Sequence, residues 1–298
     1  MNQSDDQTAR RAVALRANQQ CYDTLVAGQA ALCRPASDSE LADPLGTLDP
    51  MGWLGGNVKG KRLLCLAAGG GRQSAIYATA GAEVTVVDIS PAMLELDRQV
   101  AIRRGLNLRL LQASMDRLDM LADASFDIVV HPVSTCYVPD VMPVFREVAR
   151  VLRPGGVYVS QHKSPTSLQA SHQRDVAACY RIEHTYYRRD AIPGPSQESP
   201  ASKRLRERGA VEYLHRLEEL IGGICRNSMV IEDFIEPMHA DESAARDTFS
   251  DRARFIAPYL RIKARRVSGR GAAWASTADA SSLVMETPPT ASRIILPG

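Results

Sequence analysis

The 298-residue chain has little of what marks several large protein classes. No uncharged apolar run reaches the ~20 residues of a membrane-crossing helix, so no membrane partner is expected. The segment "MNQSDDQTARRAVALR" carries acids and arginines without an apolar core, which argues against a secretory signal in it. The six cysteines show neither C-x-x-C pairing nor zinc spacing with histidine. They read as reduced thiols of a cytoplasmic protein, and no metal is expected. Charge of one sign is also scarce: the net value is +2, too small to draw the chain to nucleic acid. Aromatic residues make up 5% and few interleave with the basic runs, which speaks against an RNA substrate.

An apolar content of 45% in a chain of this length suffices for a sizeable core, organised as one large domain with additions. Residues 1–56 read as an N-terminal helical cap and linker, with helical spacing of Ala12, Leu15, Tyr22, Leu25 and Val26 followed by a turn-rich stretch. From residue 62 the chain alternates. "RLLCLAA", "EVTVVDIS", "LRLLQAS", "SFDIVVHPV" and "VYVSQH" predict five strands. Helices intervene, one with Ser90 as N-cap, Pro91 at its first position and Gly105 at its end, another over "PDVMPVFREVARVL" stopped by Pro154-Gly155-Gly156. Such alternation implies right-handed crossovers and a doubly wound parallel sheet, an α/β fold of Rossmann-like type. Residues 165–210 break the pattern and read as an insert leaving strand five at its carboxyl end, above the site. "GAVEYLHRLEELIGGIC" predicts an amphipathic helix with Val211, Leu214, Leu217, Leu220 and Ile221 on one face. "MVIEDFIEP" and "FIAPYLRIKARR" predict strands six and seven. Residues 267–298 have low apolar density and read as a disordered tail.

The first strand runs into Gly69-Gly70-Gly71 and then a helix, a layout that brings backbone and free helix N–H groups close to an anionic or nucleotide ligand. The second strand ends in Asp88, whose carboxylate can grip two ribose hydroxyls, and Ser90 already provides the following cap. The third ends in "QASMD", at the height of an adenine edge. On these motifs, and on "ASFDIVVHPVSTCYVPDV" and "FREVARVLRPGGVYV", the chain resembles the class I S-adenosylmethionine-dependent methyltransferases of small-molecule type. The resemblance covers residues 57–164 well and 211–266 loosely, and makes 57–266 one methyltransferase domain. It implies seven strands, the last antiparallel, S-adenosyl-L-methionine as cofactor, and methyl transfer to an O, N or C atom of a small-molecule acceptor. By the same resemblance Ala67, Gly69, Gly71, Asp88, Ile89, Met93, Ser114, Met115 and His131 bind the cofactor. Two other readings stand beside this one: a nucleoside-binding regulatory module without turnover, and a nicotinamide-dependent oxidoreductase, against which the loop spacing speaks.

Three positions depart from the family pattern: Cys65 stands where an acid is usual, Ala67 for the first glycine, and Ser114 for an adenine-binding Asp. The cofactor's amino group is then expected on backbone carbonyls near Ala67 or His131. Tyr137, after strand four, is a candidate to orient the acceptor, and His162, after strand five, is a candidate general base. His184, Tyr186 and Tyr187 in the insert, and Glu236 and His239 after strand six, are further pocket candidates. His215 reads as a packing residue. Basic residues gathered at 181–208 and 261–266 read either as solvated faces or as attraction for an anionic substrate.

Overall fold

A computed structural model of the protein describes residues 3–195 and 199–268. Seven strands form one sheet: β1 (Arg62–Leu66), β2 (Glu83–Asp88), β3 (Leu108–Gln112), β4 (Phe126–His131), β5 (Leu152–Lys163), β6 (Met229–Ile235) and β7 (Tyr259–Arg266). Their order is β3-β2-β1-β4-β5-β7-β6. Neighbours from β3 to β5 pair in parallel, and β7 runs antiparallel to both β5 and β6. The order reverses between β1 and β4, and this switch point opens a crevice beyond their carboxyl ends. β1, β2 and β4 are almost wholly buried because helices cover both faces of the sheet.

The helices are α1 (Gln3–Ala27), α2 (Asp38–Ala42), α3 (Pro44–Leu48), α4 (Gln73–Thr79), α5 (Pro91–Arg104), α6 (Met142–Val151), α7 (Pro165–Gln169), α8 (Pro200–Leu205), α9 (Gly223–Arg226) and α10 (Phe249–Arg252). The start and stop signals of α5 act as expected. The Ser90 hydroxyl accepts the Met93 N–H at 3.0 Å, Pro91 opens the first turn, and Gly105 closes it at φ 63°. On α6, Val144, Phe145, Val148 and Val151 all turn into the core.

Three expectations need correction. The helix over 209–225 forms only from Leu217 onward, as a π turn at Glu218–Gly222 leading into α9. Residues 211–216 are non-helical, and Glu212 bridges Ile192. Leu214 is buried outside any helix and Leu217 is exposed, so they share no helical face. The cause is tertiary: the Val211 N–H goes to Asn18 of α1 and the Tyr213 N–H to the Cys136 carbonyl, which holds this stretch extended. Second, Pro154-Gly155-Gly156 does not end α6. The helix stops at Val151, and the three residues form an irregularity within β5, between the pairs Phe126–Leu152 and Ile128–Val157. Third, the first strand ends at Leu66, two residues early, because Ala67 adopts a left-handed backbone. The tail expectation lies outside the described residues apart from Val267 and Ser268, and the Val267 N–H still bonds to Ser228.

Candidate functional site

The glycine loop turns tightly at the end of β1. Ala67 has φ 48°, a conformation that costs a residue with a Cβ about 1–2 kcal/mol and that glycine adopts freely. That is the reason for the family's glycine here, and this chain tolerates the strain. Gly69 has no such latitude. A Cβ on it would lie 2.9 Å from the Met93 Cβ and 3.0 Å from an Asp88 carboxylate oxygen. Asp88 accepts the Gly69 N–H at 2.9 Å on one oxygen and the Ser90 N–H at 2.9 Å on the other. Burial raises its pKa, and these backbone donors pull it back.

A second acid, absent from the sequence-based candidates, holds the loop from beneath. Asp97 on α5 is fully buried. It accepts the Gly70 N–H at 2.9 Å, the Gly71 N–H at 3.0 Å and the Ser74 hydroxyl. Cys65, in the position of the missing family acid, is sealed in the core, and Asp97 is close enough to raise its thiol pKa further. Asp97 thus supports the loop from the adjoining helix, close to the position where the family acid is missing. The signal was present as a charged residue on the inner face of "PAMLELDRQV", four residues after Met93.

Beside the loop lies an apolar pocket lined by Ile89, Met93, Met115, Val138, Asp88 and Ser114. Leu15, Asn18 and Tyr22 of α1 complete it, so the N-terminal helix is a wall of the site. Asp23 fixes that wall by accepting the Ser90 hydroxyl at 2.6 Å, and Arg11 by donating twice to Asp116. The Ser114 hydroxyl donates to Asp116 as well, which leaves its oxygen lone pairs as acceptors in the pocket.

The segment after β4 is pinned by three buried histidines. His131 shares hydrogen bonds with Tyr158 at 2.8 Å and Ser134 at 2.7 Å. His162 does so with Thr135 and Ser160, both at 2.8 Å. His215 meets the Thr135 and Val138 carbonyls at 2.9 and 3.0 Å. Burial lowers all three pKa values, that of His131 to about 3, so the rings are neutral. His162 is completely buried, with both nitrogens engaged and no place in either cavity lining. This geometry speaks against a base role for it. It holds the Thr135–Tyr137 turn instead. His131 borders a larger cavity, but both of its ring nitrogens are occupied.

That cavity, about 560 Å³, opens beyond the carboxyl ends of β1, β4 and β5. Tyr22, Ala67 and Val133 line both it and the apolar pocket, so the two spaces meet there. Its other walls include Asp49, Met51 and Trp53, from the stretch that reads in sequence as a mere linker. Glu207 closes one side. It accepts the Tyr137 hydroxyl at 2.5 Å, and the Tyr22 hydroxyl donates to Tyr137 at 3.0 Å. Behind Glu207, buried Lys163 reaches Glu212 at 3.0 Å and Glu207 at 3.4 Å, and Arg206 pairs with Glu212 at 3.0 Å. Tyr137 itself lines the apolar pocket and not the larger cavity, to which only its hydrogen bond to Glu207 connects it. Glu207 has no counterpart among the candidates read from the sequence, being an acid with no period around it in a basic stretch. Of residues 165–210, Glu207 borders the larger cavity. His184, Tyr186, Tyr187, Glu236 and His239 line neither cavity, and Tyr187 is exposed.

Residues 64–160 match the sequence model of a methyltransferase domain. The chain is 35% identical over 179 residues to the uncharacterized methyltransferase YbaJ of Bacillus subtilis, covering 60% of this chain and 69% of that one. It is 35% identical over 162 residues to 24-methylenesterol C-methyltransferase 2 of Oryza sativa, covering 53% of this chain and 43% of the plant protein. Among solved structures, an S-adenosylmethionine-dependent methyltransferase from Mesorhizobium loti superposes with a TM-score of 0.59 at 23% identity, over 76% of this chain and all of that one, a likeness of fold. Among the described residues no helix is long and apolar enough to cross a membrane, and no cluster of three His, Cys, Asp or Glu is placed to hold a metal ion.

Proposed function

Because the chain belongs to the class I S-adenosylmethionine-dependent methyltransferases, we propose that it transfers a methyl group to an O, N or C atom of a small molecule seated in the larger cavity. The family assignment displaces the nicotinamide reading and the module without turnover. The observation that carries the proposal is the meeting of two unlike spaces at Tyr22, Ala67 and Val133: an apolar pocket bearing Asp88, and an open cavity bearing Glu207. The residues fit the cofactor. Each Asp88 oxygen has one backbone donor and keeps capacity for a ribose hydroxyl. Ile89, Met93 and Met115 offer apolar faces to adenine, and Ser114 an acceptor to its amino group. Gly69 borders the larger cavity on the side we assign to the methionine portion, whereas Gly71 lines neither space, and a Cβ on it would meet Leu96 and Val100 of α5. The carbonyl of Ala67 or of His131 is the partner we assign to the amino group.

When bound, the cofactor supplies a sulfonium-activated methyl group for in-line displacement. The chain's own work is positioning and proton handling. Burial raises the Tyr137 and Tyr22 pKa values well above the ordinary range, so both stay neutral donors. Glu207 is the acid we assign as proton acceptor for an O–H or N–H substrate, with Tyr137 setting its orientation. We also place the protein in a reducing compartment, the cytoplasm, since all six cysteines are free thiols and four are buried.

Titration calorimetry with S-adenosylmethionine and S-adenosylhomocysteine tests the reading. Asp88→Ala removes a charged partner of two hydroxyls, each bond worth ~1.5–3 kcal/mol, so affinity should fall by about a hundredfold or more. Absence of binding to the folded wild type, with Asp88→Ala indistinguishable from it, would refute the proposal.

A further inference from the structure

The larger cavity is bordered by a cation that no carboxylate among the described residues neutralises. Arg261 lies on β7 between Leu260 and Ile262, which face the opposite way into the core. Arg261 is part of the cavity wall. Its Nε donates to the Gln161 Oε1 at 2.7 Å, from the residue directly across the antiparallel register. Among the described residues no carboxylate pairs with Arg261. Its neighbours on the same face differ: Lys263 and Arg265 both pair with Glu232. Arg72, elsewhere on the cavity wall, pairs with Glu40.

The acids that border the cavity are engaged elsewhere. Asp49 accepts the Trp53 and Leu54 N–H groups at 2.7 and 2.9 Å, and Glu207 takes the Tyr137 hydroxyl. Burial lowers the Arg261 pKa, and no acid restores it. Both Nη groups of Arg261 are without a partner among the described residues. With its Oε1 turned to Arg261, Gln161 presents its amide N–H groups on the other side. A half-buried guanidinium in this state presents a fork that matches a planar carboxylate or a phosphate. Trp53, whose indole N–H is anchored on Asp233 at 2.9 Å, and Met51 provide apolar surface beside it.

We propose that Arg261 and Gln161 form an anion subsite, so that the methyl acceptor is a small molecule bearing a carboxylate or phosphate, held by that group while its apolar body lies along Trp53 and Met51. This rests on the larger cavity being the acceptor site of the methyltransferase reading.

The test is calorimetric titration of the S-adenosylhomocysteine-saturated chain with two probe pairs, benzoate against benzamide and phenyl phosphate against phenol. At least one anion should bind about tenfold or more tighter than its neutral partner, as a charge-assisted bidentate contact requires. Which anion discriminates separates carboxylate from phosphate recognition. Arg261→Met should abolish the preference, Arg261→Lys should retain part of it, and both should bind S-adenosylhomocysteine within twofold of wild type. No charge preference in either pair, no binding of any probe, or a preference that survives Arg261→Met overturns the proposal. Failure of S-adenosylhomocysteine to bind wild type would instead defeat the cofactor reading, and the same titrations without it would still read the anion preference.

Discussion

Replacing Asp97 by asparagine tests the glycine loop where the structure departs furthest from the family pattern. Burial pushes the Asp97 carboxyl from 3.8 up to about 6, against the opposing pull of Ser74 and the Gly70 and Gly71 amides, and Asp88 adds to the rise. A raised carboxyl pKa means that the folded chain holds this proton more tightly than the unfolded chain. Stability from this group is therefore fully present below pH ~4 and is lost as pH rises through about 6. A shift of about 2 units corresponds to roughly 3 kcal/mol. Asparagine mimics the neutral acid in shape. Whatever the offset between the two at pH 4, the variant should gain on wild type from pH 4 to pH 7 by as much as roughly 3 kcal/mol. The gain has a functional cost. The ionised acid accepts all three of its donors, whereas an amide nitrogen would face one of them, a conflict worth ~1–3 kcal/mol. The loop should loosen and S-adenosylhomocysteine affinity should fall by about tenfold. Urea denaturation followed by circular dichroism from pH 4 to 7.5, with calorimetry at pH 7, measures both. A stability gap independent of pH, together with unchanged affinity, would refute the reasoning, because Asp97 would then be neither the titrating group nor the support of the loop.

Lys163→Met should cost about 3–5 kcal/mol, because it leaves the fully buried Glu212 with Arg206 as its remaining cationic partner; an unchanged urea midpoint would contradict this. With an O–H or N–H acceptor that turns over, Glu207→Gln should lower kcat by ~10²-fold or more while S-adenosylhomocysteine affinity stays within twofold. Equal losses in both would show Glu207 shaping the site rather than taking a proton. Under native conditions a maleimide should label Cys179 and Cys225 quickly and Cys21, Cys33, Cys65 and Cys136 only on unfolding, and four fast thiols would contradict the burial of the core cysteines.

The histidines show where sequence reasoning loses its grip. His131 and His162 follow strand ends that carry functional groups in this fold class, so their position in the chain suggests chemistry. What disqualifies His162 is its packing: Thr135, from a distant turn, and Ser160, on its own strand, occupy its nitrogens, and Phe145 packs on its ring at 6.2 Å between centroids. Glu207 is the reverse case. Its surroundings in sequence are irregular and basic, and only the return of the insert over β5 brings it to Tyr137, 70 residues earlier. Arg261 appeared as one of several charges in "RIKARR", and what separates it from Lys263 and Arg265 is Glu232 on the neighbouring strand, within reach of those two.

By itself the sequence determined the elements built from local signals: five strands with apolar periodicity, the capped helix α5, the glycine loop and Asp88. These depend on steric and hydrogen-bonding rules within a few residues, which hold before the chain folds. The tertiary structure alone decided the rest. It kept 211–216 out of a helix through Asn18 and Cys136, made α1 a wall of the pocket, brought Asp97 under the glycine loop, and set Arg261 on the cavity wall with Gln161 and with no carboxylate partner among the described residues. Each of those outcomes depends on groups far apart in the chain meeting at hydrogen-bond distance, and periodicity within one segment carries no record of what will lie across from it.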